Sequence, residues 1–207
     1  MKIVFATNNS HKLAEVSAIL GPGWELVTPA SLGITEDIPE TGDTLEDNAL
    51  QKARYLYERI NGERSDGVTE SVVGVPTFAD DTGLEVAALG GAPGVRSARY
   101  AGDRHDFDDN NRLLLRNLEG AADRSARFRT VIALIIDGRE HLFEGRVEGR
   151  IVDGYRGTEG FGYDPIFAPA GSTATFAEMP PEEKNAMSHR ARAVEKLARF
   201  LKINYEL

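Results

Sequence analysis

The stretch that most narrows the choice of fold lies at 126–152. Residues 126–136 are a β-branched and apolar run ending at Ile135-Ile136, and the pair Asp137-Gly138 follows it. From 140 to 152, Phe143, Gly145, Val147, Gly149 and Ile151 alternate with Glu144, Arg146, Glu148 and Arg150. Alternation at period two describes a strand with one wet face, and Asp-Gly between two such runs marks a tight turn. A long antiparallel hairpin with one wet face is predicted, so any sheet in this chain must contain an antiparallel part.

Around it, apolar periodicities interleave strand and helix. Residues 2–6 read as a short buried strand, and Ser10 is a plausible cap for a helix over 11–20 with Leu13, Val16 and Leu20 on one face. Gly21-Pro22-Gly23 ends that helix, and Trp24 to Val27 suggests a second strand. Thr44 is placed to cap a helix in which Leu45, Ala49, Ala53, Leu56 and Ile60 recur every three or four residues. Residues 61–74 are polar and glycine-rich and read as an exposed loop insertion. The string from Pro76 to Val86 reads as strand, sharp acidic turn at Asp80-Asp81-Thr82-Gly83, and strand again. Helices are predicted near 106–118 and from 188 to 202. The class is α/β with a mixed sheet, and residues 1–207 are expected to form a single domain, a length that also suits two lobes sharing a sheet.

Composition removes several functions. There is no cysteine, which excludes disulfides, thiolate catalysis and Cys-ligated zinc and points to a reducing compartment, hence the cytoplasm. The amino terminus is apolar for only a few residues, whereas a membrane helix needs about 20, so no membrane partner is expected. Net charge is −9, from 33 acids against 24 bases, which disfavours binding to a nucleic-acid backbone. A small polyphosphate is still admissible if a metal ion and a few local cations offset the repulsion.

Four segments carry chemistry, and each also has a plain structural reading. Thr7-Asn8-Asn9-Ser10-His11-Lys12 is a polar turn between the first strand and the first helix, where ligands bind in open α/β sheets. Its helix-start N–H groups suit a phosphate and Lys12 adds a charge; alternatively Thr7 and Ser10 only cap the helix. Asp80-Asp81, with Glu40, offers hard oxygens to Mg²⁺ and a carboxylate to accept a proton from water; alternatively it is a polar turn. In Gly160-Phe161-Gly162-Tyr163-Asp164-Pro165 the glycines allow close approach, Phe161 is placed to stack on a flat base and Asp164 to accept from a ring N–H, unless Phe161 is simply core. Ser188 is a credible cap that puts His189 and Arg190 in a first turn, where the helix dipole disfavours cations and a guanidinium fork suits a purine keto oxygen or a phosphate; an ordinary solvated turn is the alternative.

Seven segments, in order, resemble the inosine triphosphate pyrophosphatase family of non-canonical purine NTP pyrophosphatases: Thr7 to Lys12, Glu40-Thr41-Gly42, Glu46 to Ala49 with Lys52-Ala53-Arg54, Ala79 to Leu84, Gly91 to Gly94 with Ser97 to Tyr100, Gly160 to Pro165, and Ser188-His189-Arg190. The resemblance implies an elongated mixed sheet flanked by helices, two lobes with a nucleotide cleft between them, and a homodimer. It implies hydrolysis of ITP, dITP and XTP to the monophosphate and pyrophosphate, by attack of water on the α-phosphorus. Thr7 to Lys12 would bind the polyphosphate, with Lys52 and Lys184 as further cations. Asp81 would be the general base and a Mg²⁺ ligand, with Glu40 and Asp80 completing the metal site. Thr82, in place of the Ser of many relatives, would contact substrate; Phe161 would stack on the purine in the Gly162-Tyr163 loop, and Asp164, His189 and Arg190 would read its edge.

Two rivals remain at this stage. A related septum-inhibitor type of nucleotide pyrophosphatase prefers modified pyrimidines, against which the Gly-Phe-Gly-Tyr-Asp and Ser-His-Arg strings argue. A non-catalytic purine-nucleotide sensor would have no need of Asp80, Asp81 and Glu40 together.

Overall fold

A computed structural model describes residues 2–62 and 74–205. Its principal elements are β1 (Lys2–Phe5), α1 (Ser10–Leu20), β2 (Glu25–Val27), α2 (Leu45–Asn61), β3 (Thr77–Val86), β4 (Pro93–Gly94), α3 (Phe107–Asn117), β5 (Ser125–Ile136), β6 (Arg139–Ile151), β7 (Phe167–Pro169), α4 (Pro181–Met187) and α5 (His189–Asn204). One sheet runs in the order β2-β1-β3-β5-β6-β7, with β4 on β3. β1 is parallel to β2 and to β3, whereas β4 on β3 and β7 on β6 are antiparallel. This is the mixed α/β sheet expected from the sequence. No helix among the described residues is long and apolar enough to cross a membrane.

The predicted hairpin is present. Asp137 (φ 50°) and Gly138 (φ 71°) both take the left-handed conformation that a two-residue turn of this hand requires. Exposed and half-buried positions run along β6 and the start of β5, where Ser125, Arg127 and Arg129 alternate with buried Ala126, Phe128 and Thr130. Every residue of β5 from Thr130 to Ile136, however, is buried, so both faces of that half of the strand are covered. A second expectation is corrected at β3. The acidic string at 80–83 is no turn but the middle of one continuous ten-residue strand. The aspartates keep extended backbone there because cationic partners meet them on both faces, as described below. The loop insertion expected at 61–74 falls almost wholly outside the described residues; at its described ends Asn61 Oδ1 accepts from Val75 N at 2.7 Å.

The chain divides into two compact units. The first comprises Met1–Asp81, Val131–Phe143 and Val194–Leu207; the second comprises Thr82–Thr130 and Glu144–Ala193. In the first, Phe5 and Phe78 stack with centroids 4.5 Å apart, as the register that pairs them dictates. Thr44 caps α2 as predicted, accepting from Asp47 N, with Glu46 and Asp47 at the positive end and Arg59 in the last turn. In the second, Leu84, Leu114, Leu118, Phe128, Val147, Phe167 and Phe176 form the core. Gly145 is obligatory there: a Cβ on it would lie 2.0 Å from the carbonyl oxygen of His189, where α5 begins.

Candidate active site

The β1–β3 register positions the carboxylate centre of the first unit. Phe5 pairs with Phe78 in parallel, so the polar turn after β1 emerges beside Asp80 two residues further along β3. Lys12 Nζ donates to Asp80 Oδ1 at 2.9 Å. The cap of α1 is Asn9, not the expected Ser10: Asn9 Oδ1 accepts from His11 N at 2.9 Å and Lys12 N at 3.2 Å. Ser10 is already the first helical residue, and Asn9 in turn donates its N–H to Thr7 Oγ1 at 3.1 Å. Two of the first-turn N–H groups expected to be open to a phosphate are thus taken by Asn9.

Asp81 points to the other face of β3, as strand geometry requires. Lys52, buried on α2, reaches Glu40 Oε1 at 2.5 Å and Asp81 Oδ1 at 3.3 Å. Asn48, one turn earlier on α2, donates to Asp81 Oδ2 at 3.2 Å and accepts from Gly42 N at 2.7 Å. Two carboxylates therefore converge on one ammonium, while Asp80 has its own lysine. Among the described residues no three carboxylate or imidazole groups are gathered closely enough to hold a metal together. The expected acidic trio is split by the pleat of the strand, with lysines between its members.

Burial pushes the Asp81 carboxyl above the ordinary aspartate range; Lys52 and Lys12 oppose this, Glu40 adds to it, and the Asn48 hydrogen bond opposes it. For Lys52, burial depresses the ammonium, but Asp81, Glu40 and Asp80 together outweigh burial and hold it above its usual value. The pair is thus a desolvated acid that resists ionisation beside a cation that does not release its proton.

The second unit carries an aromatic cluster. Asp164 Oδ2 accepts from Phe161 N at 2.8 Å and from Lys184 Nζ at 2.7 Å. Lys184 Nζ lies 5.3 Å from the Phe161 ring centroid and Arg190 Cζ 5.6 Å from it. Arg190 is buried and donates to Thr82 Oγ1 at 3.3 Å, and Thr82 shares a 2.7 Å hydrogen bond with Thr130. His189 stacks on Phe128 with centroids 4.5 Å apart. Ser188 caps α5 as predicted, accepting from Ala191 N. The Tyr163 hydroxyl donates to Ser97 O at 2.8 Å, and burial raises its pKa. Gly160 has φ 75°, and a Cβ there would strike Asp164 Oδ2 at 2.1 Å. Lys184 thus joins Asp164 and the aromatic rings.

Three side chains in this geometry carry no assigned role in the sequence reading, although Asn48 lies in the Glu46–Ala49 segment. Asn48 and Gln51 stand with Lys52 on one side of α2, and Asn111 on α3 donates to Gly162 O at 2.8 Å. The signal was present for Asn48: a polar residue that is buried at helical spacing from Leu45, Lys52 and Leu56.

Fold and site together define a mixed-sheet α/β protein with a lysine-neutralised carboxylate centre on one unit and a cation-flanked aromatic ring on the other. The chain belongs to the Ham1 family, whose family model matches residues 3–200. It is 52% identical over 201 residues to a dITP/XTP pyrophosphatase of Porphyromonas gingivalis, covering 97% of both chains. Among solved structures it resembles a HAM1 protein of Coxiella burnetii with a TM-score of 0.84 at 39% identity, covering 98% of this chain and 99% of that one. A nucleoside-triphosphatase (dITP/XTP pyrophosphatase) of Mycobacterium abscessus matches with a TM-score of 0.70 at 44% identity, covering 95% of this chain and 98% of that one. The family resemblance drawn from seven short segments therefore holds over nearly the whole chain.

Proposed function

We propose that this chain is a nucleoside-triphosphate pyrophosphatase that hydrolyses deaminated purine triphosphates, dITP and XTP among them and ITP with them, to the monophosphate and pyrophosphate. It thereby clears them from the nucleotide pool. The observation that carries the reading is Lys52, buried and shared by Glu40 and Asp81. A carboxylate kept ready beside a fixed cation is what an attack by water on a polyanion needs. Asp81 accepts the proton of the attacking water, and its raised pKa brings it closer to the operating pH, where a general base is most effective. Lys12 and Lys52 offset negative charge on the phosphates, and the turn from Thr7 through Asn8, Asn9 and Ser10 to His11 lies along them.

Phe161 stacks on the purine. Arg190, Lys184 and His189 present donors to its edge, and Asp164 holds Lys184 and the Phe161 backbone in place. A 6-keto group finds donors there. The 6-amino group of adenine meets the same donors where it needs an acceptor, at a cost of about 1–3 kcal/mol for each mispaired buried group.

The donors fit a magnesium ion by their chemistry. Glu40, Asp80 and Asp81 supply hard oxygens of the kind Mg²⁺ prefers, and binding would require Lys52 and Lys12 to yield their contacts to the ion. Mg²⁺ held there would neutralise charge developing on the phosphates. A cytoplasmic homodimer belongs to the same reading and rests on the absence of cysteine and on the family resemblance.

The test is a panel of ITP, dITP, XTP, ATP and GTP with Mg²⁺, scored for pyrophosphate against orthophosphate. Pyrophosphate from the keto purines, with ATP the poorest substrate, is expected. Binding of ITP without any release would instead establish a sensor.

A further inference from the structure

Glu40 lies on no helix or strand, yet the segment that carries it is fastened at three points to one side of α2. Thr41 N donates to Gln51 Oε1 at 2.9 Å, and Gln51 Nε2 returns a bond to Thr41 Oγ1 at 2.9 Å. Gly42 N donates to Asn48 Oδ1 at 2.7 Å. Lys52 takes the Glu40 carboxylate itself. Residues 48, 51 and 52 are spaced by three and four, so they form one patch on the helix surface. The contact is close: a Cβ on Gly42 would lie 2.6 Å from Asp47 Cβ and 3.0 Å from Asn48 N, so the strap rests directly on the start of α2.

The same patch grips Asp81. Lys52 takes Oδ1 and Asn48 takes Oδ2, so both carboxylate oxygens are fixed from α2. Asn48 is therefore bonded at once to the strap that carries Glu40 and to the strand residue that activates water. An amide suits this position because its acceptor oxygen and donor nitrogen are separate atoms that reach two partners at once, whereas a hydroxyl puts both functions on one atom and a carboxylate only accepts.

We propose that Asn48 and Gln51 are positioning residues that set the spacing of Glu40 from Asp81. The proposal rests on the pyrophosphatase reading for its consequence, though not for its geometry. Neither residue touches the substrate. Gln51 acts through Thr41 on Glu40 alone, whereas Asn48 acts on both carboxylates.

The test uses Gln51→Ala and Asn48→Ala, each made in the wild type and in Glu40→Gln. Gln51 is only half-buried, so its variant tests the idea even if Asn48→Ala folds poorly. Two quantities are read: kcat/KM for dITP, and the dissociation constant of Mn²⁺ for the free protein by calorimetry. Partners that orient acidic ligands are worth about 10- to 100-fold. Gln51→Ala is expected near the lower end and Asn48→Ala near the upper, in both readouts, with the preference for dITP over dATP unchanged. In Glu40→Gln, Gln51→Ala is expected to add less than about twofold, because the group it positions is already altered. A loss from Gln51→Ala of equal size in both backgrounds would mean a general packing role and overturn the proposal, as would both variants staying within twofold of the parent in both readouts. A wild type that binds Mn²⁺ but cleaves no dITP would sink the pyrophosphatase reading instead, and the Mn²⁺ constants would still decide the positioning.

Discussion

Asp80 and Asp81 are consecutive residues of β3, yet they answer to different lysines: Lys12 Nζ is 2.9 Å from Asp80 Oδ1 and Lys52 Nζ is 3.3 Å from Asp81 Oδ1. The pleat of the strand separates the two acids, and each is neutralised on its own face. Adjacent carboxylates can therefore both stay in a strand interior, and the two are free to serve different purposes.

Replacing Asp81 by Asn is expected to lower kcat for dITP by about 10²- to 10⁴-fold, the range of a lost general base, with nucleotide binding retained. Asp80→Asn releases the contact that fixes Lys12 and is expected to act mainly on KM. Steady-state pyrophosphate release distinguishes the two; equal effects on kcat would refute this division of labour.

The raised pKa of Asp81 has a consequence for stability. The folded protein binds this proton more tightly than the unfolded chain, so Asp81 contributes stability at acid pH that is lost as pH rises through its folded value. The melting temperature of the wild type relative to Asp81→Asn is therefore expected to improve on moving from pH 7 toward pH 4. A difference that shrinks on acidification contradicts the sign.

Lys52→Met removes one cation from two acids, one of them buried. Leaving a buried charge without its partner costs about 3–5 kcal/mol. Urea unfolding at pH 7 is expected to show a loss of that order. Lys12→Met, at a more open position beside Asp80, is expected to cost less.

At the aromatic cluster, Phe161→Ala is expected to weaken binding of inosine monophosphate by about 1–3 kcal/mol, the worth of one base stacked on a ring. Gly160→Ala keeps the ring but drives a methyl group against Asp164 Oδ2. It is expected to weaken the same binding, and calorimetric titration of both variants checks the pair.

Much of the fold was legible in local patterns. The Asp137-Gly138 turn, the Thr44 cap and the apolar stripe of α2 are set by neighbours within a few residues, and all three are present. What could not be read is what distant residues supply. Asp80-Asp81 looked like a turn because two adjacent acids are unfavourable in a strand interior, whereas Lys12 and Lys52, from two different helices, help to make them tolerable there. Burial of every residue of β5 from Thr130 to Ile136 likewise depends on what packs over both faces of the sheet, which the local sequence does not encode. Asn9 displaced Ser10 as the cap of α1 because both are good caps one position apart.

The shared ammonium of Lys52 also bears on how such a chain can drift. Positions 40, 52 and 81 are linked by one charge balance, so none of them changes alone without penalty. A lineage that lost the lysine would regain a tolerable fold most simply by neutralising an acid at 40 or 81, and on the pyrophosphatase reading that second step would remove either a proposed metal ligand or the proposed base. Suppressor screens starting from a neutral residue at 52 should therefore recover stable proteins far more often than working ones.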